Sequence, residues 1–353
     1  MGVERQVVFW VAGLCLFVFC LWVLGDILLP FVVGMALAYL FDPVANRLQR
    51  YGMPRMVAAF LIIGLFVLAF VMLVLVFAPI IGNQLASFIQ NVPGYVQRLQ
   101  KLLADSNSPW LQRIGAGGLV EDKAIGDLVS QGMGWLTAFI RSLWSGGRTL
   151  ISIFSLAVVT PVVAFYLICD WDRMVKTIDS WVPLPQRATV RHLGHEIDAA
   201  IAAFVRGQTA VCLLLGSFYA VSLSLVGLNF GLLIGLVSGI ISFIPYVGSM
   251  TGLVLSLGVA VAQFWPDWSP ILVVFGIFMF GQFIEGNILA PKLVGDSVGL
   301  HPVWVIFAMF AFGYLFGFVG LLLAVPLAAA VRIIVGYFLR RYQDSALYTG
   351  DRT

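Results

Sequence analysis

From Met56 to Ile81 the chain runs for 26 residues without one charged side chain. A bilayer crossing needs about 20 such residues, and the surplus predicts a tilted helix. Comparable runs recur at Val7–Leu24, Ile27–Phe41, Thr149–Cys169, Gly207–Val226, Leu228–Trp265, Ile271–Ala290 and Pro302–Gly336. The chain is 61% hydrophobic and only 10% charged, against about 25% charged in soluble domains. Lipid offers the backbone no hydrogen-bond partners, so spans of this kind are helical. The predicted fold class is an all-α polytopic membrane protein with about eight transmembrane helices, some of them discontinuous or re-entrant. The lipid bilayer is its first partner.

Breakers and charges divide the 353 residues. Residues 1–81 form three N-terminal spans. Residues 82–148 carry apolar residues at helical spacing (Leu85, Phe88, Val92, Val96, Leu99, Leu103) with glutamines between, which predicts an amphipathic helical insertion outside the membrane. Residues 149–353 form the remaining core. Within it, residues 187–204 predict an amphipathic helix with His192, His195, Glu196 and Asp198 on a solvated polar face. The spacing of His192, His195 and Glu196 invites a metal reading but lacks an evident third ligand, so no metal or cofactor is expected. Cys15, Cys20, Cys169 and Cys212 lie in apolar runs and read as buried small hydrophobes. Arg47, Arg50 and Arg55 stand in the short loop 42–55, and Arg332, Arg340 and Arg341 near the end. Arginine excess marks the cytoplasmic side, so both termini are expected there. The net charge of +3 gives no basis for a nucleic-acid partner.

Two long runs carry interruptions. Leu228–Trp265 holds Gly231, Gly235 and Gly239 at every fourth position, a smooth stripe for close backbone approach. Pro245, Tyr246 and Gly248 then break it, making either a hairpin or one discontinuous helix. Ile271–Ala290 holds Gln282, Glu285 and Asn287, with Pro291 just beyond. A carboxylate in hydrocarbon costs roughly 2.5–3.5 kcal/mol on insertion scales, so Glu285 is the candidate functional group. A buried carboxylate there is suited to exchanging a proton. Gln282 and Asn287 supply carbonyls for a polyol or a cation, and Tyr246 is placed to complete a pocket. Paired Gly/Pro-interrupted segments point to a transporter's midplane site. Arg206 and Gln208 open the fifth predicted span, where a gate would stand.

Several stretches occur in an order that resembles the autoinducer-2 exporter family of bacterial membrane proteins. They are Thr160–Leu167 running into Asp170, Phe204–Gln208, Phe243–Gly248, Glu285–Lys292 continuing to Gly299–Pro302, and Phe316–Gly320 with Ala324–Pro326. The resemblance implies a multi-pass transporter of the bacterial inner membrane, exporting a small polar solute such as the quorum-sensing signal autoinducer-2 or exchanging sodium for protons. The chain departs from the pattern at Cys169, where many relatives carry lysine. No nucleotide-binding motif is present, which favours a secondary transporter driven by a proton or sodium gradient. The alternatives are a sodium/proton antiporter without organic substrate and, in another class, a membrane scaffold. No nucleophile–base pair suggests an enzyme. The glycine stripes and the 82–148 insertion are compatible with a homo-oligomer.

Overall fold

The computed structural model describes residues 25–104, 147–294, 299–345 and 348. The predicted span Val7–Leu24, the insertion between residues 105 and 146, and Asp296 in the polar link lie outside them. The described residues are helical and contain no strand. We number the helices α1 (Gly25–Arg50), α2 (Arg55–Ala104), α3 (Gly147–Trp181), α4 (Arg187–Leu225), α5 (Gly231–Ile241), α6 (Val247–Phe264), α7 (Trp268–Ile284) and α8 (Pro302–Gln343); a π-helix, Glu285–Val294, follows α7 directly. Six helical stretches among the described residues are long and apolar enough to cross a membrane. The chain is thus an all-α polytopic membrane protein.

Several helices outrun the bilayer. The 50 residues of α2 make about 75 Å of helix, against about 30 Å of hydrocarbon. Residues 82–104 therefore continue the third predicted span without a break. In the same way α3 carries its apolar run on through Asp170 to Trp181, and α4 joins the amphipathic stretch 187–204 to the fifth predicted span.

The chain divides into two compact units. One comprises Met1–Ala69, Ser155–Val211 and Gly286–Thr353; the other comprises Phe70–Phe154 and Cys212–Glu285. In the first, Ala38, Ala45, Ala59, Ile62, Ile63, Ala164 and Ile168 form a core of small and branched side chains. Gly34 lies against Val163, and the Thr160 hydroxyl donates to the Pro30 carbonyl at 3.2 Å. Arg55 joins three elements at one end of this unit. Its Nε donates to the Ile168 carbonyl at 2.6 Å, and its Nη atoms reach Asp42 at 3.1 Å and Asp172 at 3.2 Å. A guanidinium fork suits such divergent partners, where an ammonium would not. Helix α8 reverses at Gly317, whose φ of 58° and ψ of −136° suit glycine. Its arms, 302–316 and 318–343, then fold together, with Ala308 beside Ala324 and Ala328, and Gly320 against the Phe312 carbonyl.

In the second unit glycine decides the packing. A Cβ on Gly235 would run into the backbone of Tyr219 and Ala220, and one on Gly239 into Gly216. The glycine stripe of α5 is therefore spent against α4 inside the chain. The adjoining strip of the same side of α5 offers Ser238 and Ser242 to Gly252 and Gly248 of α6. Both serines are buried and satisfy their hydroxyls on α5 itself, donating to the Ile234 and Ser238 carbonyls at 2.6 and 2.8 Å. The run 228–265 is thus a helical hairpin with its apex at Pro245 and Tyr246. Its first arm, 11 residues, is about 16 Å long, half a bilayer.

At the polar turn before α4, Asp179 accepts two hydrogen bonds from Arg191, each 2.6 Å, and lies 3.7 Å from Arg187. These bonds hold its carboxyl below the usual carboxylate range. A group depressed in the folded state contributes stability above its unfolded value, about 3.9, and loses it as pH falls through the folded value. Asp179→Asn is expected to melt slightly lower than the parent at pH 7, with the gap closing below about pH 4; an equal gap at both pH values in a detergent melt would contradict the assignment. For the packing, Gly235→Val is expected to cost about 1–3 kcal/mol or more. Gly276→Ala, with nothing near its Cβ position, should gain about 0.5–1 kcal/mol. Equal melting of the two variants would show that the α4–α5 approach is not tight.

Candidate functional site

Helix α7 opens on Asp267, whose side chain accepts from the Ser269 backbone N–H at 3.0 Å. It then runs apolar to Ile284. At Glu285 the helix widens into a π-helix that holds Gly286 and Pro291. Pro291 has no N–H to return to the turn before it, and its ring crowds the carbonyl there. A wider turn accommodates both defects, and π-turns recur at functional sites. The interruption expected near Pro291 thus takes the form of a change in helix type.

Glu285 is partly buried at this junction. Gln282, one turn earlier on the same face, donates from Nε2 to Glu285 Oε2 at 2.7 Å. Phe278, Gly281, Gln282 and Glu285 follow the i, i+3, i+4, i+7 spacing and share one side of α7. On that side stands Tyr219 of α4. Its ring is fully buried and stacks on Phe278, with centroids 4.5 Å apart and planes at 20°. Its hydroxyl is set against Gly281, where any Cβ would collide, and among the described residues it has no hydrogen-bond partner. Tyr219 was not legible as a site residue, because it lies in a run that reads as plain apolar span.

The hairpin apex joins this site by register. Gly252 of α6 meets Phe278 of α7, and the two helices run antiparallel. Five residues back, at Val247, α6 begins, with Pro245 and Tyr246 just before it; seven residues on from Phe278 is Glu285. The apex and the carboxylate therefore lie at the same level of the unit. Tyr246 sits there with φ of 65° and half its surface exposed, and Gly248 is buried against Ser242. No hydrogen bond joins Tyr246 to Glu285; among the described residues the partner of Glu285 is Gln282. Asn287 and Pro291 are exposed on the π-helix. Gln208 is buried in α4, and Arg206 is exposed, its Nε donating to the Ala202 carbonyl at 3.0 Å.

A second group of polar side chains appears in the other unit. Tyr39 of α1 donates to Asp198 of α4 at 2.8 Å, and Trp171 of α3 meets the Tyr39 ring edge-on at 5.7 Å. His192 lies 3.6 Å from Glu196 on α4. Among the described residues no group of three or more His, Cys, Asp or Glu is arranged to hold a metal ion.

Long apolar helices, a hairpin whose first arm is half-length and a carboxylate at a helix junction fit a multi-pass membrane transporter. The model of the AI-2E family transporters matches residues 10–340, and the chain belongs to that family. It is 30% identical to "Putative transport protein YrrI" of Bacillus subtilis, over 90% of this chain and 88% of that one. It is 27% identical to "Putative permease PerM" of Escherichia coli, over 88% and 87%. Identity to "AI-2 transport protein TqsA" of Escherichia coli is 24%, over 88% and 85%.

A buried hydroxyl without a partner costs about 1–3 kcal/mol. Tyr219→Phe is therefore expected to hold or raise the melting temperature while keeping the stack on Phe278. A clear loss of stability in a detergent melt would mean that the hydroxyl has a partner in the membrane.

Proposed function

We propose that the chain is a secondary transporter that exports a small polar solute and couples the step to a proton or sodium gradient through Glu285. The observation that carries this reading is the carboxylate at the α7–π-helix junction, bonded to Gln282 on the side of α7 where the Tyr219 hydroxyl, without a partner among the described residues, lies against Gly281. A carboxylate in a span is costly unless it serves a pathway. Among the described residues it has one neutral donor and no ion pair, so a proton or a monovalent cation can neutralise it in turn. The apex at Pro245, Tyr246 and Gly248 supplies the moving part. The hairpin's first arm is half-length, and smooth glycine–serine surfaces pack it closely on its neighbours, a surface along which one helix can slide past another. Asn287 and Pro291 extend the pathway along the π-helix, and Arg206 with Gln208 form a gate at the start of the fifth span.

AI-2, the cargo named for TqsA, is the candidate solute. Sodium/proton antiport is the second reading. It is favoured by the oxygens that Glu285, Gln282 and Tyr219 bring to one side of α7, groups that suit a small ion. The protein resides in the bacterial inner membrane with both termini cytoplasmic, as the arginines of residues 42–55 and of the C-terminal end argue. It assembles as a homo-oligomer, and residues 82–148 stand outside the membrane.

The test is transport by the purified protein in vesicles. An imposed pH or sodium gradient is expected to drive AI-2 flux, and Glu285→Gln should reduce the driven flux to the protein-free leak while unfolding like the parent. Cation-driven proton movement that persists without any organic solute would favour antiport. If Glu285→Gln couples as the parent does, the carboxylate is not the coupling group.

A further inference from the structure

A cavity of about 250 Å³ opens in the first unit between α1, α3 and α4. It is smaller than the roughly 300–1,000 Å³ of drug-sized sites, so only a compact molecule fits. Its polar lining is Tyr39, Asp42, Trp171, His195, Asp198 and Arg206; small and aliphatic side chains complete the wall. These polar groups are not equivalent. Asp42 is already neutralised by Arg55 at 3.1 Å. Asp198 spends Oδ1 on the Tyr39 hydroxyl and keeps Oδ2 for another donor. Arg206 spends Nε on the Ala202 carbonyl and keeps both Nη groups.

The Ala202 bond also sets the spacing. It folds the Arg206 guanidinium back along α4 toward Asp198. Ala202 and Asp198 are one turn apart, roughly 5.4 Å. Among the described residues no ion pair joins Asp198 to Arg206, so one negative and one positive group face a shared space without neutralising each other. A solute with a single charge would leave one of them uncompensated. A solute with both charges answers both, with the Trp171 ring alongside to favour an ammonium.

We propose that this cavity is a binding site for a small zwitterion, its ammonium on Asp198 and its carboxylate or phosphate on Arg206. The site does not rest on the role given to Glu285. The same chemistry is carried by a free amino acid and by a phosphoethanolamine headgroup, and the experiment separates them.

The full-length protein is placed in nanodiscs of phosphatidylglycerol, which bring no amino headgroup, and titrated calorimetrically with 4-aminobutyrate. Butylamine and butyrate, which carry one charge each, serve as controls. Saturable binding of the zwitterion is expected, with the controls about tenfold or more weaker, since each charged hydrogen bond is worth about one such factor. Asp198→Asn and Arg206→Gln should each weaken binding by a similar factor. Arg206 is exposed, so Arg206→Gln serves if Asp198→Asn does not fold. In a second arm, discs containing phosphatidylethanolamine are examined by native mass spectrometry. Retained lipid that is lost in Arg206→Gln would identify a headgroup as the occupant. The proposal is overturned if neither zwitterion binds, if the single-charge controls bind as tightly, or if binding survives both substitutions.

Discussion

Helices in lipid gain nothing from burying apolar side chains against each other, because the tails around them are equally apolar. What remains is close approach, and in the second unit that approach depends on glycine. Gly235 and Gly239 bring α5 onto the backbone of α4, and Gly248 and Gly252 bring α6 onto the two serines of α5. The positions of the other polar groups follow from it. With α4 held against α5, and α6 against α7 at Gly252 and Phe278, Tyr219 has no space except the stack on Phe278, with its hydroxyl over Gly281. The same register sets the Pro245 apex level with Glu285. A larger residue at any of these glycines would separate the helices and disperse the site.

The spans, the hairpin break at Pro245 and the isolation of Glu285 were legible in the sequence because each rests on a local signal: an apolar run, a proline, or a charge where charges are costly. The glycine stripe 231–235–239 was legible as a close-approach face, but its partner was not. It could have served another copy of the chain, and the structure spends it on α4. Tyr219 was hidden because an aromatic in an apolar run looks like core until its hydroxyl proves to have no partner. The cavity beside Asp198 was hidden for the opposite reason. His195 and Asp198 belong to a polar face that reads as solvated, and only the fold brings Tyr39 and Trp171, 156 or more and 24 or more positions away from them, to the same place. The reversal of α8 at Gly317 was open in the sequence, since a 35-residue apolar run can bend or turn back. The backbone angles at one glycine decide between these.

The two polar groups are solved by different physics. Arg55 satisfies its charge with Asp42, Asp172 and a carbonyl, so every member is compensated and the arrangement suits a fixed joint. Among the described residues Glu285 has only a neutral amide, and one turn back along the same side of α7 lies a hydroxyl with no partner there. A network left incomplete in a low-dielectric setting is expensive, and a protein under selection for stability alone could remove the cost with glutamine and phenylalanine at these two positions. Keeping the acid and the hydroxyl makes sense if a third group visits between them. The π-helix supports this view, because it loosens the backbone at the one turn where such a visitor would enter. A complete joint at the helix ends and an incomplete one inside the span are the two requirements of a transporter: a frame that holds still, and a site that is finished only when it is occupied.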